Sequence, residues 1–164
     1  MAGYGTDEGF AAFLTDNGYT LPDDAPAPAV LRQRGSNYLD AAYEPMLYCS
    51  VRAGGFDQER AWPRTGHLVG GISVDGVPLA WINASYRAAW LEASQPGWAS
   101  GSINPNRITK REKVQSIERE FFAPSDTGSG ASGSAGNVDA AIQGMVSVFF
   151  CVSVDGVGIW SVGR

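Results

Sequence analysis

The stretch from Ser125 to Asn137 is built from Gly, Ser and Ala with little else, and it divides the chain in a way that constrains the fold. Nothing in it can bury enough apolar surface to offset the entropy of ordering, so residues 125–136 read as a flexible linker. Before it, Thr109 to Phe122 packs alternating charges around Val114, Ile117, Phe121 and Phe122. After it, an apolar segment resumes at Val138. The expected organisation is a helical core over 1–124, the linker, and a C-terminal helix with an extended docking arm over 137–164. An apolar end on a tether suits a subunit that inserts that end into a neighbour.

Composition sets the outer bounds. The chain has 164 residues, of which 44% are hydrophobic, enough for one domain with extensions and a real core. A net charge of −5 argues against a protein that lives by gripping phosphates. Cys49 and Cys151 lie far apart with no His or Cys at metal-ligand spacing, and read as reduced thiols of a cytosolic product. The N-terminus has neither a basic region nor an apolar core, so no cleaved signal is expected.

Helical spacing is clearest in three places. Thr6 or Asp7 can cap a short helix whose Phe10, Phe13 and Leu14 share a face, ending at Asn17-Gly18. A second helix is expected from Ala27 to about Tyr43, although Gly35 weakens it. A third opens at Pro78, with Leu79, Ile82, Tyr86, Ala89 and Trp90 as its apolar face, and stops at Gln95-Pro96-Gly97. Residues 44–76 are irregular. Around 108–123 the pattern suits either a helix or a hairpin turning at Gln115-Ser116. A fourth helix is expected after an Asn137 cap, with extended chain from Val152. The fold class is therefore mostly α: a small bundle of about four helices, one β-hairpin and an extended C-terminal arm.

Chemistry of the catalytic kind is not displayed. His67 is the single histidine and has no cysteine near it in sequence, so a Cys-His nucleophile has no support and a solvated side chain is expected. The carboxylate pairs follow no metal-binding spacing, and no glycine run has the setting of a phosphate loop. No enzyme activity, cofactor or metal is expected. Lys110, Arg111 and Lys113, with Arg107, can form a nucleic-acid stripe beside Phe121. Interleaved Glu112, Glu118 and Glu120 favour a salt-bridged subunit interface instead. Trp62-Pro63-Arg64 suits an anchor with a charged rim, or equally an ordinary core tryptophan. In the C-terminal segment Met145, Phe149, Phe150, Ile159 and Trp160 supply apolar surface expected to pack on a partner.

Leu31-Arg-x-x-Gly-x-x-Tyr38-Leu39-Asp40, then Gln58-Glu-Arg-Ala-Trp-Pro-Arg64, then Lys110-Arg-Glu-Lys-Val-Gln-Ser-Ile-Glu-Arg-Glu-Phe121 carry a resemblance. In this order they resemble the head–tail connector (adaptor) proteins of tailed bacteriophages, some of whose members are labelled DnaT-like single-stranded-DNA-binding proteins. The resemblance implies a virion protein of the neck, assembled in the host cytoplasm. It would form a homo-oligomeric ring, twelvefold by the portal's symmetry, between the portal protein and a head–tail stopper or tail-completion protein. Genomic DNA would pass through its lumen without sequence-specific binding. The alternative is a DnaT-like single-stranded-DNA-binding replication protein.

Overall fold

Among the described residues, apolar side chains recurring at three- and four-residue spacing produce four helices: α1 (Asp7–Asp16), α2 (Pro28–Tyr43), α3 (Leu79–Ser94) and α4 (Ala140–Val146). The computed structural model describes residues 3–99 and 138–152, together with the paired backbone at 112–114 and 117–119. The expected linker over 125–136, and Glu120, Phe121, Ile159 and Trp160, lie outside the described residues. The fold is mostly α, as expected.

Local chemistry explains the helix ends. Thr6 caps α1, its hydroxyl accepting from the Gly9 N–H at 3.0 Å. Ala27 precedes α2 with Pro28 in the first turn, where its missing N–H costs nothing. Pro78 stands at the cap of α3 and not inside its first turn. In α4 the cap is Asp139, not Asn137: one carboxylate oxygen accepts from the Ile142 N–H at 2.9 Å. The shift follows from α3, whose Arg87 holds the same carboxylate with Nε at 2.7 Å and Nη2 at 2.9 Å. α4 is a seven-residue helix followed by a 3₁₀ turn, Ser147–Phe149, and not the longer helix expected.

Gly35, a liability for an isolated helix, is where α2 meets α3. A Cβ there would stand 2.3 Å from the Ser85 carbonyl oxygen and 2.7 Å from the Ala89 nitrogen. Ser85, Ala88 and Ala89, all buried, complete a close crossing of small residues. One apolar cluster fills the space beside it, with Tyr38, Leu39, Leu47, Trp62, Trp81, Ile142, Val146 and Phe149. A second, around Phe10, Leu14, Leu31 and Tyr86, seats α1.

Two expectations are corrected here. Residues 138–152 of the C-terminal segment pack on their own bundle: Ile142 and Val146 are fully buried, and the Phe149 ring lies edge-on to Trp62 and Trp81 at 5.8 and 6.4 Å. Phe150 stacks on Tyr43 at 5.8 Å, and Met145 is half-buried against the same cluster. Trp62 is 1% exposed, so of the two readings open for it the ordinary core tryptophan holds and the interface anchor does not.

The irregular region resolves into short pairings. β1 (Val51–Arg52) pairs antiparallel with β2 (Arg64–Thr65), and β3 (Leu68–Val69) with β4 (Ile72–Ser73). The charged segment is a hairpin, not a helix: β5 (Glu112–Val114) faces β6 (Ile117–Arg119). Its register sets Glu112 opposite Arg119 and Lys113 opposite Glu118. Opposite charges at directly facing positions favour that register over its slipped alternatives.

Candidate functional site

Residues from the turn after α2 and from the chain before β2 converge on Arg64, at the start of β2. The residue is 9% exposed and its guanidinium spends its donors on the protein itself. Nε donates to Ser50 Oγ at 2.7 Å, Nη1 to the Ala61 carbonyl at 3.1 Å, and Nη2 to the Leu47 and Ser50 carbonyls at 3.0 and 2.5 Å. Glu44 supplies the countercharge at 3.4 Å and also grips Arg52 at 2.5 Å. Hydrogen bonding from Arg52, then the charges of both arginines, hold the Glu44 carboxyl below its usual range. Arg64 is therefore the organiser of an irregular loop, which corrects its expected role as an interface rim. An irregular loop has carbonyls that no ladder satisfies, and a five-donor fork is the side chain suited to collect them.

His67 lies beside this arginine, 1% exposed, which overturns the expectation of a solvated side chain. Its Nδ1 and Ser50 Oγ are 2.8 Å apart, and its ring meets Trp62 edge-on at 4.9 Å. Burial first, then the positive charge of Arg64, lower its pKa from the ordinary value, while the Phe149 backbone pulls weakly the other way. The Ser50–His67 pair has the length of a nucleophile–base pair. Both partners are buried and the serine oxygen already accepts from Arg64, so the pair serves the loop.

Cys49 precedes Ser50, and the 3₁₀ turn after α4 brings Cys151 to it. The two sulfurs form a disulfide across 102 residues, which corrects the reading of two reduced thiols. The missed signal lay in distance along the chain: spacing rules see near neighbours, whereas α4 returns Cys151 to Cys49 by tertiary packing. Backbone bonds reinforce the junction, with the Cys151 N–H on the Met46 carbonyl at 2.9 Å and Tyr48 Oη on the Cys151 carbonyl at 3.1 Å. Along this seam Met46, Tyr48, Val148 and Val152 are exposed.

The remaining electrostatics concern phosphate binding. Six cations, Arg32, Arg34, Arg52, Arg60, Arg64 and Arg87, lie in the described regions 3–99 and 138–152. Every one pairs with a carboxylate within the chain: Asp7, Glu92, Glu44, Asp40, Glu44 and Asp139 in turn. Apart from Arg164, the other basic side chains, Arg107, Lys110, Arg111, Lys113 and Arg119, belong to the hairpin and the chain leading to it. Of the expected interface residues there, Lys113 and Glu118 occupy facing register positions, while Lys110 and Arg111 lie outside the described residues. Each described body arginine thus already has a carboxylate countercharge, and residues 107–119 carry the densest run of basic side chains in the sequence.

No curated protein and no solved structure matches the chain. A family model does, over residues 3–158. That span takes in the bundle, the Arg64 junction, the hairpin and α4, and by it the chain belongs to the family described as "Putative DnaT-like ssDNA binding protein".

Proposed function

We propose that this chain is a structural subunit, a head–tail connector whose copies join into a ring on a portal and continue the DNA channel. The observation that carries the reading is the pairing of all six body cations with carboxylates of the same chain. A body built this way leaves an acidic balance, and a channel lining must let DNA slide without neutralising its phosphates. The exposed apolar seam at Met46, Tyr48, Val148 and Val152 supports subunit contact. So does the hairpin, whose alternating charges suit a complementary patch on the next copy. A closed ring needs such a heterologous interface, one patch meeting a different one. With α4 in its own core, portal contact falls to the seam and the hairpin.

The family description favours a second reading, single-stranded DNA binding. Under it the five cations of 107–119 track the backbone, and Phe121 and Phe122 stack on bases. One pair of measurements separates the two. The purified protein is titrated with fluorescent single-stranded oligonucleotides across a salt series, and separately mixed with the portal protein from the same structural gene cluster. A connector co-sediments with portal and leaves the oligonucleotide free at physiological salt. Submicromolar oligonucleotide affinity with a steep salt slope, lost in Lys110→Ala and Arg111→Ala, reverses the assignment.

A further inference from the structure

We infer that Cys49, His67 and Cys151 form a binding site for one thiophilic divalent ion of the zinc class once the two sulfurs are reduced. The ligand atoms these residues offer all lie within 4.8 Å of one another. Tetrahedral zinc, with Zn–S about 2.3 Å and Zn–N about 2.0 Å, holds its ligand atoms about 3.5 to 3.8 Å apart, inside that envelope. Two thiolates and an imidazole leave the fourth position to water, which can reach it because Cys49 is exposed. Soft thiolates select zinc-like ions over magnesium or calcium.

A second observation points to the same place. His67 is 1% exposed, with Nδ1 oriented by Ser50 Oγ at 2.8 Å; Nε2 is buried and meets no partner within hydrogen-bond geometry, so the pull of the Phe149 backbone on the ring falls short of a formed hydrogen bond. One ring nitrogen oriented by an oxygen and one left unspent is the pattern of a ligating histidine. The site does not depend on the sulfur–sulfur bond for its assembly. Cys151 is held by the Met46 carbonyl and by Tyr48, and the Cys49 turn is closed by the Ser50 N–H on the Leu47 carbonyl at 3.2 Å.

Reduction by a small thiol balances simply. Two RSH deliver two electrons and two protons, the disulfide becomes two cysteine thiols, and the reductant leaves as RSSR. Each thiol loses its proton to solvent as it takes the metal, so binding one ion releases two protons. The inference is independent of the connector reading.

The test uses the full chain, reduced with a phosphine that is then removed, and titrated anaerobically with Co²⁺ followed by Zn²⁺. The expected result is one equivalent of Co²⁺ with thiolate-to-cobalt charge-transfer bands and tetrahedral d–d bands, displaced by Zn²⁺. The oxidised protein shows neither band. Cys49→Ser, at an exposed position, abolishes the charge-transfer band. His67→Gln weakens binding by more than the about 10–100-fold that loss of an outer-shell partner costs. Should His67→Gln fail to fold by circular dichroism, the cysteine variants carry the test. Reduced wild type without bands, or Cys49→Ser indistinguishable from wild type, overturns the site. So does a folded His67→Gln with unchanged affinity.

Discussion

Arg64 shows what a single side chain does in this fold. Three carbonyls and one hydroxyl accept from it, and of those carbonyls Leu47 also accepts from the Ser50 N–H. Arg64→Met is expected to cost about 3–5 kcal/mol in urea unfolding, the range for breaking a buried charge pair. Arg64→Lys should recover only part of that, since an ammonium has three donors and no fork. His67 gives a pH signature. Its folded pKa lies below the ordinary value, so the unfolded chain takes the proton more readily. Stability is then full above about pH 6.5 and is lost as the pH falls through the depressed folded value. Urea midpoints measured from pH 7.5 downward should show this slope first, and a folded His67→Gln should flatten it. Glu44 and Asp139, whose carboxyls are held low by arginines, add losses only at more acid pH. Asp40, raised by burial, works in the opposite sense. None of this is legible in Trp62-Pro63-Arg64-Thr65-Gly66-His67 as a string, because burial and the carbonyls of residues 47–61 make Arg64 and His67 what they are.

At the scale of elements, α4 behaves as a core helix. Burying Ile142, Val146 and Phe149 contributes about 1.5–3 kcal/mol each, and losing them also bares Trp62 and Trp81. Against a total stability of about 5–15 kcal/mol, a chain ending at residue 136 should be unfolded or at the edge of unfolding by circular dichroism. A truncated chain that keeps the wild-type thermal midpoint would place α4 outside the core. Gly35 sets two effects against each other. Alanine gains about 1 kcal/mol of helix propensity, but its Cβ would meet backbone at 2.3 Å, and overpacking costs about 1–3 kcal/mol even where flexible side chains yield. Backbone does not yield, so Gly35→Ala is expected to lower the thermal midpoint. Helix existence was readable from spacing and caps in all four cases. What spacing could not supply was the length and start of α4, which Arg87 decides by gripping Asp139 across the bundle.

For the whole molecule, charge placement matters more than net charge. An acidic sum of −5 would not by itself exclude a DNA-binding face. Intrachain pairing gives every arginine of the described helical body a carboxylate countercharge, and the densest run of cations in the sequence is residues 107–119. Neutralising Lys110, Arg111 and Lys113 together should therefore change whatever partner binding the protein has, which the oligonucleotide and portal titrations read. Light scattering with and without portal reads the assembly side. A closed dimer in both conditions would contradict the connector proposal, because a two-fold contact uses the patch that a ring requires.

The sequence by itself determined the existence of the helices, the Thr6 cap, the hairpin as one of two options and the mostly α class. These follow from interactions between residues a few positions apart, which a string displays directly. It also carried the DnaT-like part of the family resemblance, through short motifs read in order. Only the tertiary structure decided that Trp62 is core, that Arg64 serves a loop, that α4 seals its own bundle and that Cys49, His67 and Cys151 meet. Those outcomes depend on which side chains and carbonyls meet in space, beyond one turn of helix or one strand pair, and periodicity contains no information about which segment a buried face will find.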